Sequence, residues 1–260
     1  MTPDLALHWS RWTFWAEEMP WLRLGLYLFL STVVLGSLGS YLREHRAWKD
    51  GDTRKLSHFG HMAIATPLLV FLPPVQLIPA AILGTVAVIV IYGLAATSTR
   101  PRVYAIVAAS FREQDRPRAR FHFFFPLVSG NVALVLAALL FPVDAVRVAF
   151  FTCAIADGLA EPVGLRFGEG NRYQVRDLIW GSANTKSLAG SAAVFLAASA
   201  IAMIFFRIGG IAGAAVVAAS LAYGLIIAAI EALSPRGFDN MLLLFLAPVV
   251  IIGLGRLVGV

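Results

Sequence analysis

Residues 187–231 read SLAGSAAVFLAASAIAMIFFRIGGIAGAAVVAASLAYGLIIAAIE, and the only charged side chain between Ser187 and Glu231 is Arg207. An α-helix needs roughly 20 apolar residues to cross the hydrocarbon core. The stretch therefore holds two spans, 187–206 and 208–231. Similar runs bounded by charge or proline occupy 21–42, 58–74, 77–97, 121–141, 145–163 and 239–258. Eight spans are expected, and the chain length allows about seven to nine. The fold class is an all-α polytopic transmembrane helical bundle.

Composition agrees. The 260 residues are 59% hydrophobic and 14% charged, with a mean hydropathy of +0.78. A soluble domain carries about a quarter charged residues, so a soluble globule and a disordered chain are both excluded. Cys153 is the only cysteine, which leaves no disulfide framework and no thiolate metal cluster. Trp9, Trp12, Trp15 and Trp21 cluster ahead of the first long apolar run. Residues 1–20 are read as an interfacial Trp-rich segment with indoles at headgroup depth, and no signal peptide is expected. Without an internal repeat or low-complexity linker, residues 21–260 form one membrane-embedded catalytic domain.

The net charge of +6 follows membrane topology. The loops after spans one, three, five and seven hold five, six, four and one Lys or Arg, whereas the opposite side receives five. Sixteen of the 21 cations on one side put those loops in the cytoplasm and both termini outside. The same distribution argues against a nucleic-acid partner and suits a multi-pass protein of a bacterial inner membrane.

Ionisable residues at or within spans are costly and mark function by default. Four groups qualify. Arg54-Lys55-Leu56-Ser57-His58 enters span two, where two cations and an imidazole at a helix N-terminus suit an anionic ligand; His61 reads as a packed neutral histidine. Asp157 and Glu161, four residues apart, share a helix face that Gly164 and Gly168 continue. Oxygen-only ligands with few neighbours suit Mg²⁺, which keeps waters and bridges to phosphates, and the glycines would let backbone approach a nucleotide. Lys186-Ser187 with Gly190-Ser191 opens span six and reads as a phosphate cradle without the full P-loop pattern. Glu231, Asp239 and Asn240 flank the tight Ser234-Pro235-Arg236-Gly237 turn between the last two spans. All four groups fall on the cytoplasmic boundary that the cation count defines.

Those residues also carry a resemblance. Arg-Lys-x-x-His at 54–58, Asp-Gly-x-Ala-x-x-x-Gly-x-x-Phe-Gly at 157–168, Lys-Ser-x-Ala-Gly-Ser at 186–191 and the later Glu231, Ser234, Asp239-Asn240 resemble the phytol, farnesol and dolichol kinase family over about residues 54–250. Ala189-Gly190-Ser191 is closer to the phytol-kinase branch. The resemblance implies a polytopic membrane enzyme that phosphorylates an isoprenoid alcohol such as phytol, farnesol or a polyprenol, with CTP as co-substrate. It implies a nucleotide site at Asp157, Gly164, Gly168, Lys186, Ser187, Gly190 and Ser191. Arg54, Lys55 and His58 match its early basic motif, and Glu231, Asp239 and Asn240 its late acidic one.

The expected roles are then as follows. Asp157 and Asp239 bind Mg²⁺, with Glu231 as a third or outer ligand. Lys186, Arg54 and Lys55 neutralise phosphate oxygens, and Glu161 or His58 takes the alcohol proton. The central motif is shared more loosely with CDP-diacylglycerol synthases, so a phosphatidate cytidylyltransferase is the second reading. A transporter ranks lower, because transport sites lie near the bilayer midplane.

Overall fold

A computed structural model of the protein describes residues 21–48, 50–72, 74–111, 117–177, 179, 181 and 183–259. The Trp-rich segment 1–20 and the cations Lys49, Arg112 and Arg116 lie outside the described residues. Seven helices among those described are long and apolar enough to cross a membrane, and the only sheet among them is a two-stranded hairpin. The architecture is the expected polytopic helical bundle. The chain divides into two compact units, one up to Asn131 and one from Val132.

The first unit contains α1 (Trp21–Arg46), α2 (Asp50–Phe71), α3 (Pro74–Thr97), the short α4 (Pro101–Ala108) and the start of α5 (Ala119–Leu140). Each residue range expected to span here is helical, but α2 begins eight positions before residue 58. Its N-terminal half carries Asp52, Arg54, Lys55, Ser57, His58 and His61, which keeps it out of the seven strongly apolar helices. Arg54, Lys55 and His58 consequently lie inside the helix and not at its N-terminus, so the expected dipole contribution to anion binding does not apply to them.

Leu24, Leu28 and Ala80 form one core of this unit, and Tyr92, Ala95, Ala96 and Val107 another. The segment between α3 and α5, expected to be loop, contains α4, which is held by its carbonyl end. Ser40 donates to the Ala105 carbonyl, Arg43 to that of Ala108 (3.1 Å) and Thr53 to that of Ala109 (2.7 Å). These donors serve carbonyls that a helix C-terminus leaves without internal partners.

The second unit begins with the rest of α5. A continuous helix follows, composed of α6 (Val143–Phe151), a π-helical stretch over Thr152–Asp157 and α7 (Gly158–Phe167). After a 3₁₀ turn at Glu169–Asn171 come β1 (Arg172–Arg176) and β2 (Ala183–Ser187), paired antiparallel with Lys186 opposite Tyr173. Then follow α8 (Leu188–Ile208), α9 (Ala214–Leu233) and α10 (Asp239–Val258). Helices α8 and α9 pack closely because Gly224 has no room for a Cβ beside Ser199, as small residues permit at membrane helix interfaces. The π stretch is held from α9, where the buried Thr152 and Tyr223 hydroxyls are 2.8 Å apart.

Candidate functional site

The site is built from elements of the second unit. Lys186 stands on β2 one residue before Ser187, the N-cap of α8. Its ammonium forms an ion pair with the Glu231 carboxylate and also donates to the Glu231 carbonyl oxygen at 3.2 Å. Glu231 lies in the last turn of α9 and its side chain is only 5% exposed; that of Lys186 is 18% exposed. The cation thus meets a carboxylate and a helix C-terminus together, both of which favour its charge.

Two further acids act on Lys186. Asp157, buried at the end of the π stretch, and Asp239, the first residue of α10, both lie within electrostatic reach of it. Burial opposes charge on Lys186, but Glu231, Asp239 and Asp157 more than offset it, holding the group above the ordinary lysine value of 10.5. The amine is an ammonium at any physiological pH. Asp239 is not the N-cap of α10; that position is Phe238, and Asp239 instead accepts the N–H of Asn240 at 2.9 Å. The Asn240 side-chain oxygen accepts from the Cys153 thiol at 3.3 Å, which ties the start of α10 to the π stretch.

The start of α8 is already partly served by the protein. Ser187 Oγ accepts the Gly190 N–H at 3.1 Å, and the Asn171 side chain accepts that of Ala189 at 3.2 Å. Those two first-turn donors are engaged within the chain and not left for a phosphate. Ser191 bonds the Tyr173 hydroxyl at 2.7 Å. The glycines are likewise used for packing. A Cβ on Gly164 would stand 2.8 Å from Ser187 Oγ, one on Gly168 2.6 Å from Ser187 Cβ, and one on Gly190 2.7 Å from the Ala160 carbonyl oxygen. The close backbone approach expected for a nucleotide is made here between α7 and the start of α8.

Among the described residues no three His, Cys, Asp or Glu side chains gather as a metal-ligand set. Glu231 is engaged by the Lys186 ammonium. Asp157 and Asp239 remain as carboxylates near one cationic centre, and Mg²⁺ in nucleotide sites commonly takes only one or two carboxylates beside substrate phosphates. Those two residues fit that mode and do not form an all-protein cage.

Glu161 follows Asp157 by one turn on α7 and is partly exposed. Arg54, Lys55 and His58 are in the first unit, on α2. Nearby on that helix, His61 is satisfied on both ring nitrogens, with Nδ1 2.7 Å from the Ser57 carbonyl and Nε2 3.2 Å from the Tyr92 hydroxyl. A neutral ring protonated at Nδ1 meets both partners, in keeping with a packed histidine.

Sequence reasoning missed the hairpin and, with it, Asp177, Tyr173 and Asn171. Asp177 is almost fully buried and accepts two backbone N–H groups. An acid preceding Leu178-Ile179-Trp180-Gly181 suggests an Asx turn, which is the one local signal that pointed to it. No family model, curated protein or solved structure matches the chain.

Proposed function

We propose that the protein is an integral-membrane lipid kinase that moves the terminal phosphoryl group of CTP or another nucleoside triphosphate to a long-chain isoprenoid alcohol. The observation that carries this reading is the convergence of Asp157, Glu231 and Asp239, from three separate helices, on the Lys186 ammonium. Phosphoryl transfer needs charge neutralisation and positioning more than covalent help from the protein. A triphosphate brings several negative charges, and a site for it needs a fixed cation beside carboxylates that hold a metal.

In this reading Lys186 faces the phosphate oxygens and Glu231 fixes its ammonium in place. Asp157 and Asp239 would hold Mg²⁺, which when bound would help neutralise phosphate charge. Glu161, one turn from Asp157, takes the proton of the alcohol as its oxygen bonds the terminal phosphorus. The bond from that phosphorus to the bridging oxygen breaks, leaving CDP and a lipid monophosphate. The isoprenoid tail enters from the bilayer among the apolar helices, and the reaction faces the cytoplasm, where the cation asymmetry of the loops puts it.

The test is product identity. Purified protein with labelled CTP, Mg²⁺ and an isoprenoid alcohol should yield CDP and a lipid monophosphate, and no pyrophosphate. Release of pyrophosphate with phosphatidate as acceptor, independent of any alcohol, overturns the kinase in favour of a cytidylyltransferase.

A further inference from the structure

We propose that Asp177 is a positioning residue: by accepting a backbone N–H of the α9–α10 turn, it holds the segment that carries Glu231 and Asp239 against the hairpin that carries Lys186. The proposal takes the acidic cluster around Lys186 as the reaction site, as in the reading above.

Asp177 follows the last residue of β1 and is 2% exposed. One carboxylate oxygen, Oδ1, accepts the N–H of Ile179 at 2.9 Å, and its own carbonyl accepts that of Gly181 at 3.0 Å. Both bonds fold the loop joining the strands. The other oxygen, Oδ2, accepts the N–H of Arg236 at 2.8 Å, across 59 positions of sequence. A carboxylate is acceptor-only, and its bonds to N–H groups are shorter and stronger than neutral ones. Buried as it is, it gives the loop joining the strands and the α9–α10 turn one shared anchor.

The turn it grips is short and itself ordered. Phe238 donates to the Pro235 carbonyl at 2.9 Å, and Gly237 has φ +84°. A positive φ at the third residue of a four-residue turn is the type II pattern, which leaves Arg236 at the second position with its N–H pointing away from the turn. Glu231 lies five residues before Arg236 and Asp239 three residues after it. The bond thus joins hairpin and turn beside the Lys186–Glu231 pair.

Three variants of the full-length protein in detergent isolate the bond. Asp177→Asn keeps one oxygen acceptor, so it serves one of the two N–H groups and not both. Arg236→Pro deletes the donor while fitting the second position of a type II turn, and Arg236→Ala removes the same side chain but retains the N–H. Hydrogen exchange over residues 237–240 should speed at least tenfold in Asp177→Asn, and in Arg236→Pro relative to Arg236→Ala. The double variant Asp177→Asn/Arg236→Pro should exchange no faster than the quicker single variant, since both remove one interaction. In phosphoryl transfer, kcat should fall at least tenfold in Asp177→Asn with KM for the alcohol within twofold.

Exchange within twofold of wild type in Asp177→Asn, or additive effects in the double variant, overturns the latch. A change confined to alcohol KM overturns the positioning role. Should Asp177→Asn fail to purify, the comparison of Arg236→Pro with Arg236→Ala decides the matter from the donor side. If the wild-type protein transfers no phosphoryl group, the kinase reading falls, while hydrogen exchange still decides whether the latch exists.

Discussion

Lys186 and Glu231, 45 positions apart in sequence, form a buried ion pair that joins the strand before α8 to the last turn of α9. Neither residue is adequately described without the other. The carboxylate would be costly in that position unpaired, and the ammonium would be lost to desolvation.

Removal of one partner should therefore destabilise the fold. Lys186→Met should cost about 3–5 kcal/mol, because the Glu231 carboxylate stays buried without its partner, and Glu231→Leu less, because Asp239 and Asp157 still act on the ammonium. The double variant Lys186→Met/Glu231→Leu should recover only part of the Lys186→Met loss, since Asp157 and Asp239 remain without the cation. Denaturant unfolding in detergent measures all three; equal stability of single and double variants would show that the pair is not coupled.

The same pair sets an alkaline limit. Lys186 is held above its ordinary value of 10.5 by Glu231, Asp239 and Asp157 against the opposing effect of burial. A group whose folded pKa exceeds its unfolded one adds stability that is complete below the unfolded value and lost as pH rises through the folded value. Melting temperature should fall above about pH 10.5 in the wild-type protein. That limb should shrink in Lys186→Met/Glu231→Leu, as thermal melts across pH 9–12 would report.

Asp157 tests the chemistry from a second element, the end of the π stretch. Asp157→Asn should lower turnover by about two to three orders of magnitude, the usual effect of deleting one electrostatic group from a reaction site. It should purify as wild type does. Unchanged turnover in the purified variant removes Asp157 from the mechanism.

Gly190 separates packing from ligand binding. In Gly190→Ala the new Cβ would stand 2.7 Å from the Ala160 carbonyl oxygen, and crowding of this kind costs about 1–3 kcal/mol. A lowered melting temperature is expected with no nucleotide present. Normal melting together with weakened CTP binding would instead return this glycine to the nucleotide.

Topology is testable without any activity. A tag placed within residues 98–111 should be reached only from the cytoplasmic side, and a tag at residue 1 only from the other. Labelling of both from one side contradicts the orientation drawn from the cation count.

The membrane class and most of the spanning helices are legible in composition and run length. Runs such as Leu188–Ile208 and Ala214–Leu233 carry one charged residue each, Arg207 and Glu231, close to the C-terminal end, and lipid admits no irregular backbone, so composition and length suffice to make them spanning helices. The sequence also picked out Asp157, Lys186, Glu231 and Asp239, because charge beside such runs is conspicuous. Segments with ordinary polar composition were not legible in this way. The strands Arg172–Arg176 and Ala183–Ser187 are only five residues each, with Asn184, Thr185 and Lys186 carrying no strong strand preference. The start of α2 at Asp50 was hidden by charges that end an apolar run without ending a helix.

How these residues are paired follows from the folded chain. Spacing put Asp157 and Glu161 on one helix face, and Glu231 was expected as a third or outer metal ligand; folding pairs Glu231 with Lys186. Spacing assigned Gly164, Gly168 and Gly190 to a ligand, whereas the chain fills that room with Ser187 and the Ala160 carbonyl. Asp177 drew no notice because its partner, the Arg236 N–H, is a backbone group 59 positions away. Hydropathy is a property of each segment alone and can be read along the chain. Pairing between polar groups depends on which segments meet, and that follows from the packing of the whole unit.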